Sequence, residues 1–264
     1  MLGAIIGDIV GSVYEFNNIK RKDFLLFSPR GFFTDDTIMT VAVAEALRKT
    51  KRKKFKNSEK QVVAEMQEYG RIYPHASYGN SFAFWLEQKN PKPYNSYGNG
   101  AAMRISSVAY YAQSLDMVKE LSKTVTAVTH NHPEGIKGAE ATAVAIWLAL
   151  NKKSKEEIID YIKQNYYDLN YTYKGLVEDY YFNETCQETV PQAIYCFAIS
   201  NDFEDCLRTS ISIGGDSDTL CAISCAIAEA YYGVPEDIKN TALKYLDKRI
   251  LQAYNDFLAN KNRA

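Results

Sequence analysis

Two short segments far apart in the chain concentrate oxygen donors, Thr34-Asp35-Asp36-Thr37 and Gly214-Gly215-Asp216-Ser217-Asp218-Thr219, and each opens a long apolar run with helical spacing. Carboxylates and hydroxyls are hard ligands, so the four acids would suit Mg²⁺ or Mn²⁺ if brought together, and without a cation they would repel one another. Either cluster alone reads equally as a helix N-cap, where Asp, Ser and Thr accept orphan backbone N–H bonds. A cap needs one acceptor, however, and here each helix start carries two carboxylates with hydroxyls beside them. The glycine pair adds close backbone approach. If both helix starts face one cleft, paired cations could clamp an oxygen-rich substrate between them.

A third acidic piece lies at the N-terminus. Gly3, Gly7 and Gly11 recur every four residues, and Asp8 and Glu15 lie seven apart, which puts small residues and both acids on neighbouring parts of one helical face. Such a face permits close backbone packing. Asp8 then reads as a satisfied buried acid or as part of the site, and Glu15 as a packing residue or a group at a reacting centre. Ser96-Tyr97-Gly98-Asn99-Gly100-Ala101-Ala102-Met103-Arg104 is a glycine-bounded turn opening a helix, either an ordinary Asn-Gly turn or one whose N–H groups meet an anion such as a diphosphate. His130 and His132 sit between helical runs, and with no Cys or third His beside them zinc has little support. Substrate contact by at least one of them competes with loop hydrogen bonding.

The elements that must position these groups are helices. Apolar spacing predicts them over about 37–49, 59–72, 101–113, 116–130, 136–150, 155–165, 189–200, 203–212, 219–232 and 235–258. Gly233 and Pro235 punctuate the end of one run, and Ser154 with Glu157 forms a capping-box signature at the start of another. Strand-like alternation and long β-branched runs are scarce, which argues against a parallel-sheet nucleotide-binding fold. No repeat period and no Pro/Gly/Ser-rich linker divides the chain, so residues 1–264 read as one domain with a continuous core.

Composition excludes more than it assigns. A formal net charge of −1 predicts no nucleic-acid or acidic-surface partner. The basic run Arg48 to Lys56 reads as a solvated helix end and loop, with a phosphate-binding patch as the weaker alternative. The apolar start lacks a basic leader and is broken by Asp8, so a soluble, cytoplasmic protein with no membrane span is expected. Cys186, Cys196, Cys206, Cys221 and Cys225 lack CxxC spacing and read as reduced, buried thiols.

Together these segments resemble the ADP-ribosylglycohydrolases. The match is ordered and spans most of the chain: Gly7-Asp8, Gly11 and Glu15, then Thr34-Asp35-Asp36-Thr37, Tyr78-Gly79, Ser96 to Gly100 with Met103-Arg104, Thr129-His130, Glu188-Thr189 with Pro191 and Ala193, and Gly214 to Thr219. The resemblance implies an all-α orthogonal bundle with a dimetal cleft holding two Mg²⁺ or Mn²⁺ ions and no organic cofactor. Thr34, Asp35, Asp36, Asp216, Asp218 and Thr219 would be the metal ligands. Tyr78, Gly79, Ser96, Tyr97, Gly98, Asn99, Gly100 and His130 would bind ADP-ribose, and Glu15, Asp36 and Asp218 would share the catalytic work. It implies hydrolysis of the glycosidic bond between ADP-ribose and a protein side chain or small acceptor, by a protein expected to be a monomer.

The chain is shorter than the larger members, and its tyrosine-rich stretch Tyr166 to Phe182 and its His132-Pro133-Glu134 loop have no secure counterpart. The stretch reads as a family-variable insertion. Arginine-, serine- and small-molecule-linked ADP-ribose, including O-acetyl-ADP-ribose, therefore all stay open as substrates. Two other readings use the same residues, a non-catalytic ADP-ribose-binding module and a Mg²⁺-dependent nucleotide phosphohydrolase.

Overall fold

A computed structural model describes residues 1–50 and 58–261. The helices are α1 (Leu2–Gly11), α2 (Asp35–Lys49), α3 (Glu59–Ile72), α4 (Asn80–Glu87), α5 (Gly100–Met103), α6 (Ser106–Tyr111), α7 (Leu115–Thr126), α8 (Pro133–Leu150), α9 (Lys155–Asn165), α10 (Tyr173–Asp179), α11 (Cys186–Ile199), α12 (Phe203–Ser212), α13 (Ser217–Tyr232), α14 (Glu236–Ala242) and α15 (Lys248–Lys261). Among the described residues there is no strand, only an isolated bridge between Gly98 and Thr185. The fold is all-α, as the periodicity predicts.

The packing that matters most to function is that of α1 on α13. All ten residues of α1 are buried, and its glycine stripe lets the two backbones touch. A Cβ on Gly7 would lie 2.3 Å from the Cys221 carbonyl oxygen, and one on Gly11 would lie 2.4 Å from Asp218 Cα. No larger residue fits there without moving a helix. The pairing is antiparallel, Gly3 meeting Cys225, Gly7 meeting Cys221 and Gly11 meeting Asp218, so the end of α1 arrives where α13 begins. Around this pair, α8, α11 and α12 pack on α13, and α2 packs on α3, α6 and α15.

Local chemistry explains most helix ends. Thr34 caps α2 by accepting from Asp36 N, Ser154 and Glu157 form the reciprocal capping box of α9, and Gly233 ends α13 at φ 80°. Three sequence readings change. The run 101–113 breaks at Arg104 (φ −92°, ψ 0°) into α5 and α6, and the run 235–258 breaks at a 3₁₀ turn, Leu243–Tyr245, before Asp247 caps α15 through Arg249 N and Ile250 N. Helix α1 ends at Gly11, so Glu15 reaches the site from a turn and does not share a helical face with Asp8.

The five cysteines are buried and free. Arg48 and Lys49 pair with Glu45 and Glu65, while the rest of the basic run, residues 51–56, lies outside the described residues. Among the described residues no helix is long and apolar enough to cross a membrane.

Candidate active site

The two acidic segments converge. Asp35, Asp36, Asp216, Asp218 and Thr219 line one cleft of about 400 Å³, together with Glu15, Gly79, Ser96, Gly98, Asn99, Gly100 and His130. Ligand oxygens of Glu15, Asp216 and Asp218 lie within 4.8 Å of one another. Asp35 and Asp36 enter from the opposite wall, and for each of them the strongest neighbouring charge is Asp218.

Asp8 holds that opposite wall in place from beneath. Its Oδ2 accepts from Thr34 N (2.9 Å) and Thr37 N (3.0 Å), and its Oδ1 from the Thr34 hydroxyl (2.8 Å). Asp8 is thus a buried, hydrogen-bonded acid whose charge also reaches Glu15, Asp35, Asp36 and Asp218. The Thr34 hydroxyl donates to Asp8 and accepts from Asp36 N at 3.2 Å, and Thr34 also lines a neighbouring cavity with Phe33 and Ile38.

Positive backbone dihedrals at Gly214 (φ 73°) and Gly215 (φ 83°) swing the other segment toward α1. Asn18 mimics a backbone partner there, Nδ2 donating to Gly215 O and Oδ1 accepting from Gly215 N, both at 2.8 Å. The tyrosine-rich stretch supplies the backing. A Cβ on Gly215 would lie 2.3 Å from Tyr180 Cε1, the Tyr180 hydroxyl donates to Glu188 O at 2.7 Å, and Lys20 Nζ donates to Tyr180 O and Ile213 O.

The glycine turn is tied to the acids through Asn99. Its side-chain nitrogen donates to Asp216 Oδ2 (2.7 Å) and Thr189 Oγ1 (3.1 Å). Two of the turn's N–H groups are already engaged, Gly98 N by Ser96 Oγ and Asn99 N by Glu184 O, so the turn offers fewer donors to an anion than its sequence suggests. Tyr97 is 46% exposed at the rim, its ring 5.1 Å from that of His132. Gly79 lines the cleft; the Tyr78 ring packs edge-on against Phe82, and its buried hydroxyl has no hydrogen-bond partner and is raised by burial and then by the Asp35 charge. His132 caps α8 through Nδ1, which accepts from Glu134 N.

Electrostatics show what the cleft suits. Burial, then the neighbouring Asp218, Asp8 and Glu184, push Glu15 up to about 8. Burial likewise raises Asp8 and Asp216 to about 6. Asp35 and Asp36 are also driven up by burial and then by Asp218 and Asp8, and Asp218 by burial and then by Asp216 and Asp8. A cluster of acids that resist ionisation is one without its counter-charge. Asp36 Oδ2 is buried with no hydrogen-bond partner, and every donor is oxygen, so the residues present fit hard divalent cations.

Sequence reasoning missed Glu184, Asn18 and Phe182. Glu184 lines the mouth of the cleft, and Phe182 stacks on the exposed Phe16 with ring centroids 5.8 Å apart. None carries a motif. Only the fold brings residues 15–18 and 180–184 to the same rim.

An all-helical scaffold folds two acidic helix starts and a glycine turn into one acid-lined cleft. Comparison with known proteins gives the family: an ADP-ribosylglycohydrolase family model matches residues 1–263, and the chain belongs to that family. It is 27% identical to human ADP-ribosylhydrolase ARH3, over 95% of this chain and 90% of that protein. It is 26% identical to ADP-ribosylarginine hydrolase Tri1 of Pseudomonas putida, over 97% and 76%. Against ADP-ribosyl-[dinitrogen reductase] glycohydrolase of Rhodospirillum rubrum the identity is 27%, over 94% and 89%. A solved ADP-ribosylglycohydrolase-related protein complex shares the fold at a TM-score of 0.68 and 21% identity, over 97% of this chain and 95% of that one.

Proposed function

We propose that this protein hydrolyses the glycosidic bond between ADP-ribose and an acceptor, and that it does so with a pair of divalent cations, Mg²⁺ or Mn²⁺. Membership of the family supports the reaction class. The observation that carries the metal reading is the convergence of Glu15, Asp35, Asp36, Asp216 and Asp218 in the cleft that also holds Gly98, Asn99, Gly100 and His130. Asp35, Asp36, Asp216, Asp218 and Thr219 would hold the cations, with Thr34 placed to steady Asp36. Bound cations would supply counter-charge and polarise the ribose hydroxyls and a water.

The residues themselves do the rest. Asn99, fixed to Asp216, sets the glycine turn at one distance from the acids, so a diphosphate and its ribose span from turn to cluster. Water attacks C1″ as the bond from C1″ to the acceptor breaks. The water proton passes to a carboxylate, Asp36 or Asp218, and the departing acceptor takes a proton from Glu15 on the open side. The acceptor would rest against Glu15 and Glu184, which line the cleft, and against the Phe16–Phe182 pair next to them in the chain.

Product analysis tests the reading. Arginine-linked, serine-linked and O-acetylated ADP-ribose are each incubated with the protein and Mg²⁺ or Mn²⁺. Release of intact ADP-ribose from the arginine- or serine-linked substrate supports glycosidic cleavage; from the O-acetylated one it does so only if oxygen from labelled water appears at C1″, since ester hydrolysis frees the same product. AMP with ribose phosphate would instead establish a phosphohydrolase, and tight ADP-ribose binding without turnover a binding module.

A further inference from the structure

Arg104 is a buried cation that lines the cleft and feels the charge of Asp35. It is 1% exposed, forms no ion pair among the described residues, and leaves Nε buried without a partner. Its guanidinium lies 5.6 Å from the Phe82 ring centroid. Nη2 donates to Thr129 Oγ1 at 2.6 Å and stands 3.2 Å from His130 Nδ1. Thr129 Oγ1 is itself 2.7 Å from the same ring nitrogen, closer than its alternative acceptor, Thr126 O, at 3.4 Å.

A guanidinium has donors and no acceptor, so the ring nitrogen facing it must be the one without a proton. The Thr129 hydroxyl, already accepting from Arg104, points its own hydrogen the same way. The other ring nitrogen faces the glycine turn, because Cβ atoms built on Gly98 and Gly100 would lie 3.5 and 3.6 Å from Nε2. We infer that Arg104 and Thr129 are positioning residues that lock His130 as the neutral Nε2–H tautomer, a fixed hydrogen-bond donor aimed between Gly98 and Gly100 at the oxygens of the diphosphate and its ribose.

The arrangement divides two tasks. Arg104 supplies a permanent positive field behind the anion, and His130 supplies direction without a charge that would come and go with pH. Burial, then the Arg104 charge, hold His130 well below the usual imidazole range, so a second proton is resisted. The titratable and charged groups facing the ring are Arg104 and Tyr94, the latter with its ring centroid 6.0 Å away.

The ligand named here rests on the functional reading above; the tautomer does not. The full chain has three histidines, which makes ¹⁵N-histidine spectra assignable. In ligand-free protein, long-range ¹H–¹⁵N correlation should show His130 protonated on Nε2 alone, with no titration from pH 8 down to 5. Arg104→Met should let the Nδ1–H form appear, because no guanidinium donor then faces Nδ1 and the Thr129 hydroxyl is free to accept from it, and should weaken ADP-ribose in calorimetric titration by about tenfold or more, as expected for one charge-assisted hydrogen bond. Where that variant fails to fold, Arg104→Gln carries the same test, since an amide can donate or accept. A wild-type His130 protonated on Nδ1, or doubly protonated near neutral pH, overturns the inference. So does a folded Arg104 variant with unchanged tautomer and affinity. Failure of wild-type protein to bind ADP-ribose would refute the functional reading and leave the spectral result standing on its own.

Discussion

Replacing Gly11 by alanine should damage the site from behind, through the contact of α1 with α13. The added Cβ would sit 2.4 Å from Asp218 Cα and 2.6 Å from Asp218 N, against ordinary carbon contacts of about 3.5 to 4 Å. Both neighbours are backbone, so no side-chain rotation relieves the clash, and the helices must part by roughly 1 Å. Overpacking of this kind costs about 1–3 kcal/mol. Better helix propensity offsets little of that, because Gly11 is the last residue of α1. In a chain of this size each kcal/mol moves the melting temperature by about 2–4 °C, so a fall of roughly 2–12 °C is expected. The same displacement carries Asp218 away from Asp36, and a misplacement near 1 Å can cost about 100-fold in rate. Scanning calorimetry, Mn²⁺ titration and initial rates of ADP-ribose release measure the three effects. Gly79→Ala is the stability control, since its Cβ would meet nothing within 4 Å, and its change should stay within about 0.5 kcal/mol. A Gly11→Ala protein with wild-type melting temperature and wild-type cation affinity would refute the argument.

Further outcomes follow from the acids and their supports. Because Asp8 and Asp216 are raised to about 6 and Glu15 to about 8, the metal-free native state binds more protons than the unfolded chain above pH 4. Its stability should therefore fall as pH rises from about 5 to 8, and added Mn²⁺ should cancel the fall; urea midpoints at both pH values with chelator and with cation check this. For the same reason Asp218→Asn should raise the melting temperature of metal-free protein while abolishing turnover, and loss of stability without cation would contradict it. Glu15→Gln should lower kcat by about 10² to 10⁴ with ADP-ribose affinity near normal, whereas a melting-temperature loss with normal specific activity would mark Glu15 as structural. Tyr180→Ala should cost about 3 kcal/mol and Tyr180→Phe about 1 kcal/mol in chemical denaturation, since the first removes the ring behind Gly215 and the second only the bond to Glu188 O.

What the sequence discloses of this molecule depends on whether the cause is local. Periodicity places α3, α9 and α12 with the boundaries observed, and the Ser154–Glu157 box and Gly233 terminate helices by chemistry confined to a few residues. The glycine stripe of α1 is equally legible, since spacing of four puts small residues on one face whatever packs there. The break at Arg104 is not, because it arises when a buried guanidinium is drawn to Thr129 and His130 from another part of the chain. Helix α4, aromatic and only eight residues long, has too few turns to show a period, and α10 is hidden within tyrosines whose partners are distant. At the site, Asp35, Asp36, Asp216 and Asp218 stand out by composition. The Tyr78 ring packs on Phe82, the Thr34 hydroxyl bonds to Asp8, and Glu184 enters with no motif at all. Those placements are set by how loops 12–34, 74–79 and 180–185 cross the helix ends.

The most direct test counts cations against turnover. Metal-stripped protein is titrated with Mn²⁺ while ADP-ribose release from an ADP-ribosylated peptide is followed, in wild type and in Asp36→Asn and Asp218→Asn. Two ions bound per chain, activity rising with their occupancy, and both binding and activity lost in either variant is the result expected. Full turnover in chelator, or unchanged Mn²⁺ binding when a carboxylate from either segment is removed, would show that the acids converge for some other reason.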